Sequence, residues 1–413
     1  VFKWKAAPVV GVGLLAMAAG FGQFGVVAAL GSVAKTFGHV SAGSSFADEA
    51  GLSGTMLAAG LAIARLASLG GLPLAGLADR FGRRGTVLGT CLIGLVVTVG
   101  AAFSPTYWWF VAIFAVGRPF LSATQGVAQV AAAELTGSGE RAKAVALIAA
   151  GYAVGAGLTA IIHSLAGSAL GFRGILALSI VPLVMLPLIA RIVVEPERFT
   201  NVVPVEHRRP VIGPIGKEFR ARLIVVVLLA GSIAVITGPA NSMVFIYAES
   251  FLHVPGVVVS AMVVGAGIAG LGGLLVGRWA ADHIGRRPTV AVAIAGLAVF
   301  GVLAYTGSEW ELLVGYILGV ASGGIFAPAG GALANELFPT SVRASVAGWY
   351  VAAGVLGAVV GLLAFGAIAD VSGVGDHLRF AATVLFLPMI AMTALLLLLP
   401  ETRGREPEEL WGG

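Results

Sequence analysis

The chain has 413 residues, 58% of them hydrophobic and 11% charged, where soluble domains hold roughly 45–50% and about 25%. So little polar surface excludes a soluble protein of this length and points to an integral membrane protein. The formal net charge of +5 is mild, and its meaning lies in which loops the basic residues occupy.

Sixty glycines in such an apolar background suit close helix–helix approach in lipid, where small residues let backbones touch. The single cysteine, Cys91, lies in an apolar run and excludes a disulfide framework or a cysteine metal site. A helix crosses the hydrocarbon core with about 20 mostly apolar residues. Twelve segments qualify, approximately 6–34, 50–77, 85–103, 107–133, 143–166, 174–193, 222–248, 257–277, 288–306, 312–335, 342–369 and 380–399. The first is followed by no clear small-residue cleavage pattern and is expected to be a span, not a signal peptide. With the N-terminus inside, the termini and even-numbered connections hold 20 of the 25 Lys and Arg, and Lys35, Arg173 and Arg379 remain outside. Basic residues resist translocation, so this asymmetry predicts that both termini are cytoplasmic.

Charge within the spans is rare. Arg65 lies near the middle of span 2, and Arg118 lies 11 residues into span 4. A charged group at the bilayer centre costs roughly 2.5–3.5 kcal/mol on insertion scales, so both carry a functional expectation. Ser122, Gln125 and Gln129 follow Arg118 at +4, +7 and +11, a polar stripe suited to a watery cavity. All 20 acidic residues fall in loops or at span ends, which leaves the two arginines without an obvious carboxylate partner. Two roles stay open for them. A guanidinium fork can hold a carboxylate solute bidentately, or it can bond backbone carbonyls and amides structurally. In span 7, Gly238-Pro239 must break the helix ladder, with Asn241 and Tyr247 following it.

Three matched elements recur along the chain. Asp79-Arg80-Phe81-Gly82-Arg83-Arg84 closes span 2, and Asp282-His283-Ile284-Gly285-Arg286-Arg287 closes span 8, 203 residues on. Glu134 and Arg141 bracket the turn after span 4, as Glu336 and Arg343 do after span 10, at a shift of 202. Glu195-Pro196-Glu197-Arg198 follows span 6, as Pro400-Glu401-Thr402-Arg403 follows span 12. Matched elements at nearly one offset mean a duplicated six-helix unit. The halves are residues 1–194 and 222–413, joined by a polar, proline-containing cytoplasmic linker over 195–221 that is too short for a catalytic domain.

Together these motifs resemble the major facilitator superfamily along the whole chain, most nearly its sugar-porter and organic-ion branches. The resemblance implies an all-α integral membrane fold, with twelve transmembrane helices in two pseudo-symmetric six-helix bundles around a central cavity. It implies an alternating-access transporter, not an enzyme, with no cofactor. It also implies that Asp79, Arg83, Arg84, Glu134, Arg141 and Glu195, with Asp282, Arg286, Arg287, Glu336, Arg343 and Glu401, form a charge latch between bundles. Single surface ion pairs contribute only about 0–1 kcal/mol, so such a latch needs a network. Asn241 is a ligand at an outer gate in this comparison, and Arg118 with Ser122 resembles the family's span 4 pattern. Phe21-Gly22-Gln23-Phe24-Gly25-Val26 resembles the sugar-porter run G-Y-D-x-G-V, with Gln23 where proton-coupled relatives keep a carboxylate. Ala75 and Arg278 depart from the glycine usual four residues before each turn's aspartate.

The expected cargo is a small organic anion, bound by Arg65, Arg118, Gln23, Ser122, Gln125, Gln129, Asn241 and Tyr247. It would move by facilitated transport, exchange or proton symport linked to the substrate. Sugar uptake is the first alternative, although the glutamine pairs of sugar porters are missing and Pro328-Ala329 stands where their span 10 has a tryptophan. Multidrug efflux is the second, although span 5 reads Gly151-Tyr152-Ala153-Val154-Gly155-Ala156-Gly157 without the G-P motif of such antiporters. A monomer in the plasma membrane is expected, with no metal and no nucleic-acid partner.

Overall fold

The structure, a computed structural model, describes residues 6–41, 45–136, 141–196, 215–371 and 377–404. Most of the sequence-assigned linker, 197–214, lies outside the described residues. Among those described, every regular element is helical. Eleven helices are long and apolar enough to cross a membrane. They are span 1 (Ala7–Ala28), span 2 (Gly54–Phe81), span 3 (Arg83–Ala101), span 4 (Tyr107–Leu135) and span 5 (Lys143–Ala177) in the first half. The second half holds span 7 (Lys217–Phe251), span 8 (Gly256–His283), span 9 (Arg286–Leu303), span 10 (Glu309–Glu336), span 11 (Ser345–Ala369) and span 12 (His377–Leu398). Span 6 is the shorter helix Ile180–Ile192. Its first turns are hidden in the preceding helix, which is broken at Gly171 (φ 58°, ψ −176°). The result is the twelve-span α-helical arrangement expected from the sequence.

Lipid tails are as apolar as leucine, so helices in a membrane associate through close packing of small residues. Spans 1 and 5 cross where a Cβ on Gly155 would stand 1.9 Å from the Met17 carbonyl oxygen, and one on Gly20 2.1 Å from that of Tyr152. Spans 7 and 11 repeat the crossing. There a Cβ on Gly357 would meet the Gly231 oxygen at 2.3 Å, and one on Gly361 the Val235 oxygen at 2.4 Å. Pro239 has no amide hydrogen for the Val235 carbonyl, and Gly361 of span 11 packs against that carbonyl.

The expected break at Gly238-Pro239 is smaller than the sequence suggests. The helix runs on to Ser242, with the Met243 amide donating to the Pro239 carbonyl at 2.8 Å. The departure from α geometry lies further along, in a π-helical turn at Tyr247–Phe251.

The chain divides into two compact units, Val1–Phe37 with Ile63–His207, and Gly38–Ala62 with Arg208–Gly413. Residues 38–62 join the second unit for identifiable reasons. The Asp370 carboxylate accepts from the amides of Gly54 (2.6 Å) and Thr55 (2.7 Å), capping the helix that starts there. A Cβ on Gly366 would stand 2.4 Å from the Gly54 oxygen, and the Phe46 ring lies 5.0 Å from Phe251.

A Cβ added at a backbone contact cannot be relieved by a rotamer change. Gly155→Ala is therefore expected to lose at least the ~1–3 kcal/mol typical of overpacking. Gly267→Ala, where a Cβ meets nothing within 4 Å, should melt like the parent. Thermal unfolding of both variants in detergent checks the contrast.

Candidate functional site

The turns after spans 2 and 8 each need a residue at positive φ, supplied by Gly82 (φ 88°) and Gly285 (φ 134°). Each glycine also leaves room for a glutamate from the tail of its own unit. A Cβ would stand 2.7 Å from Glu195 Oε2 in the first and 2.9 Å from Glu401 Oε2 in the second. Glu195 accepts from the backbone amides of Arg83 (2.5 Å) and Arg84 (3.0 Å). Glu401 accepts from those of Arg286 (2.9 Å) and Arg287 (3.1 Å). A carboxylate at a helix N-terminus satisfies orphan amides and complements the helix dipole.

The arginine side chains gather the other helix ends. Arg83 donates through Nε and Nη2 to Glu134 at 2.9 Å each, and through Nη1 to the Ala78 carbonyl at 2.9 Å. Its Nη2 lies 3.0 Å from Asp79. Arg286 repeats the pattern with Glu336 at 3.2 Å, Asp282 at 3.3 Å and the Ala281 carbonyl at 2.6 Å. Thr402 donates its hydroxyl proton to Glu336. Arg84 closes the end of span 6 through the carbonyls of Val193 (2.8 Å) and Ala190 (3.0 Å), and Arg343 donates to the Phe338 carbonyl at 3.3 Å. The side chain of Arg141 lies outside the described residues. The sequence leads one to expect these charges to latch one bundle to the other; the contacts described above lie within a unit.

Deeper in the first unit a second cluster forms around Gln23. Gln23 is 3% exposed and Arg118 8%. Arg118 Nη1 donates to the Gln23 carbonyl at 3.0 Å, and its guanidinium stands 6.0 Å from the Phe114 ring centre. The Tyr152 hydroxyl donates to Gln23 Oε1 at 3.2 Å. Spans 1, 4 and 5 thus converge on one residue, span 4 through its backbone carbonyl and span 5 through its side chain. Arg65, half-buried in span 2 just before the 3-10 turn Ser68–Gly70, interacts electrostatically with Tyr152 and Arg118. Gln23 Nε2 and Arg118 Nε are closed from solvent and have no hydrogen-bond partner among the described residues.

The other expected ligands distribute unevenly. Gln125 and Gln129 are half-buried on span 4. Ser122 packs against span 2, its Cβ only 2.9 Å from where a Cβ on Gly71 would lie. Asn241 and Tyr247 belong to the second unit. Tyr247 is 4% exposed among aromatic rings, 5.1 Å from Tyr305 and 6.0 Å from Phe251. Tyr152 was not singled out by the sequence, since one aromatic in a glycine-rich span carries no periodic signal.

Burial alone would raise the Glu401 carboxyl, but the amides of Arg286, Arg287, Arg403 and Thr402 outweigh it and hold it below its ordinary value. A depressed folded-state value stabilises above the unfolded one, about 4.3, and the contribution is lost as pH falls through the folded value. Glu401→Gln keeps one amide oxygen as acceptor and loses its charge at a site partly open to solvent, so it should cost about 0.5 kcal/mol at neutral pH, the low end for losing a helix cap. The gap to the parent should close as pH falls through the depressed folded-state value. Melting curves across pH check both the size and the sign.

Sequence and structure comparisons agree on the class of protein. The Major Facilitator Superfamily profile matches residues 12–282 and 268–412. A putative metabolite transport protein of Haemophilus influenzae is 26% identical over 360 residues, 82% of this chain and 85% of that one. A probable 4-methylmuconolactone transporter of Cupriavidus pinatubonensis is 25% identical over 82% of this chain and 79% of its own length. The cis,cis-muconate transport protein of Acinetobacter baylyi is 26% identical over 79% and 80%. The inward-open xylose transporter XylE from E. coli superposes with a TM-score of 0.73 over 98% of this chain and 99% of that one. At 19% identity that likeness speaks for the fold alone. With the family profile matched along nearly its whole length, this chain belongs to the Major Facilitator Superfamily and is a membrane transporter, not an enzyme.

Proposed function

We propose that the chain carries small organic anions, carboxylates in particular, by alternating access, with Arg118 and Arg65 as the cationic anchor. The observation that carries this reading is a buried guanidinium with an unpartnered Nε, beside a second arginine, in spans whose only acids, Asp79 and Glu134, stand at their ends. Like charges repel strongly in a low-dielectric interior. A bound carboxylate relieves that repulsion and gains charge-assisted hydrogen bonds, roughly twice as strong as neutral ones. The named solutes of two relatives, cis,cis-muconate and 4-methylmuconolactone, support the same solute class. Gln125 and Gln129, on the same helix as Arg118, would orient the rest of the molecule.

In this reading the chain works as a monomer in the plasma membrane. Both termini and the arginine turns are cytoplasmic, on the strength of the basic-loop asymmetry. An amide at Gln23 cannot carry a proton. Transport is therefore facilitative or by exchange, or the proton travels with the solute.

Counterflow in proteoliposomes tests the reading, with labelled cis,cis-muconate against xylose and a cationic drug. Muconate is expected to exchange, and Arg118→Ala to weaken it on the order of ten- to a hundredfold, the range for a charged hydrogen bond. Arg65→Lys keeps the charge but loses the planar fork, so a smaller loss is expected. Exchange of xylose or the drug without muconate would overturn the anion reading, as would normal transport by both variants. Accumulation of a neutral solute under an imposed proton gradient would overturn the coupling.

A further inference from the structure

We infer that Tyr152 sets the specificity of this site, by holding the Gln23 amide with its donor end free, so that the site takes an ionised carboxylate and rejects the corresponding carboxamide. The inference rests on the anion reading above and narrows it.

A glutamine side chain presents an acceptor on one side and two donors on the other, in nearly the same shape. Left unconstrained, it can turn to suit either kind of solute group. Here Oε1 is occupied by the Tyr152 hydroxyl at 3.2 Å. Turning the amide over would make that hydroxyl an acceptor and send its own proton elsewhere. In the structure the tyrosine proton goes to Gln23 Oε1, which leaves the hydroxyl's lone pairs free on the side away from the amide. The tyrosine backbone is also fixed, because span 1 packs onto its carbonyl at Gly20.

Arg118 is equally constrained, with Nη1 on the Gln23 carbonyl and Phe114 beside the guanidinium. What remains is Gln23 Nε2 and Arg118 Nε, two donors without acceptors, on residues 3% and 8% exposed. An ionised carboxylate is acceptor-only and can satisfy both. A carboxamide brings its own NH₂ against them, or turns and leaves that NH₂ without an acceptor where no water replaces it. Tyr152 acts through Gln23, as a positioning residue.

The test measures equilibrium binding of cis,cis-muconate and its diamide to the purified full chain, parent and Tyr152→Phe, in detergent or nanodiscs. The parent is expected to prefer the dicarboxylate by at least about tenfold. Tyr152→Phe frees Oε1, and the preference should fall by about three- to tenfold, mainly through tighter diamide binding. A merely structural tyrosine would weaken both ligands alike and leave their ratio unchanged. That result overturns the inference, and so does equal binding of the two ligands by the parent. If the parent binds neither ligand, the anion reading itself fails. Should Tyr152→Phe not fold, Gln23→Glu reads the same donor. It replaces Nε2 with an acceptor beside Arg118 and should cut dicarboxylate binding more than tenfold; an unchanged affinity overturns the inference.

Discussion

A helix that begins at a membrane surface presents amides with no partner in the helix itself, and in each unit one glutamate takes two of them. Glu195 and Glu401 reach those amides from the tail of the last span of their unit, so the sixth helix is tied to the start of the third. Arg83 joins the end of span 2, through Asp79 and the Ala78 carbonyl, to the end of span 4 through Glu134. Four helix ends are closed around one residue. Gly82 is required twice over, for its φ and for the volume the glutamate fills. Removing one member of such a set leaves an uncompensated charge, which costs far more than the pair contributes when intact.

The deep cluster of the first unit reverses that balance. Arg83 has Glu134 and Asp79 around it, whereas the contacts described for Arg118 are a carbonyl and an aromatic ring, with no carboxylate among them. The second unit holds aromatic packing past the end of span 9. Tyr305 is fully buried between Tyr247 and Phe365 and donates to the Pro239 carbonyl at 3.3 Å. That bond falls where span 7 carries its proline, a few residues before the π-helical turn.

The number of spans and the repeat were legible because both rest on composition and spacing, which survive without coordinates. Span 6 was blurred only at Gly171, where a single residue outside helical geometry separates two apolar runs. Other features were not legible. The glutamates of the two tails show in the sequence as charges near arginines, and nothing in a pattern distinguishes an ion pair from a helix cap. Grouping of residues 38–62 with the second unit depends on Asp370, more than 300 positions away from Gly54. Ser122 fell on the polar stripe by periodicity, yet the stripe is wide enough for its first member to pack against span 2. Arg118 was legible as a charge at a cost and Gln23 through the resemblance of its span 1 run, but their meeting, and that of Gln23 with Tyr152, depends on how three helices cross.

The duplication itself separates what the fold needs from what it does not. Four charges at the turns have counterparts, Asp79 with Asp282, Arg83 with Arg286, Glu134 with Glu336 and Glu195 with Glu401, paired with the matching residues. The deep residues have none. At the repeat's offsets of 203 for spans 2 and 8 and 202 for spans 4 and 10, Arg65 falls on Ile268 and Arg118 on Val320. Gly155 of span 5 and Gly357 of span 11 occupy the same kind of crossing, which sets Tyr152 against Gly354. The second unit therefore builds the same crossings and the same capped turns with apolar residues at three of the cluster's positions. If buried arginines were needed to hold such a bundle together, the second copy would lack what the first requires. Both copies fold by the turns and the glycine crossings, and in the proposed reading the costly charges at depth serve the solute and not the fold.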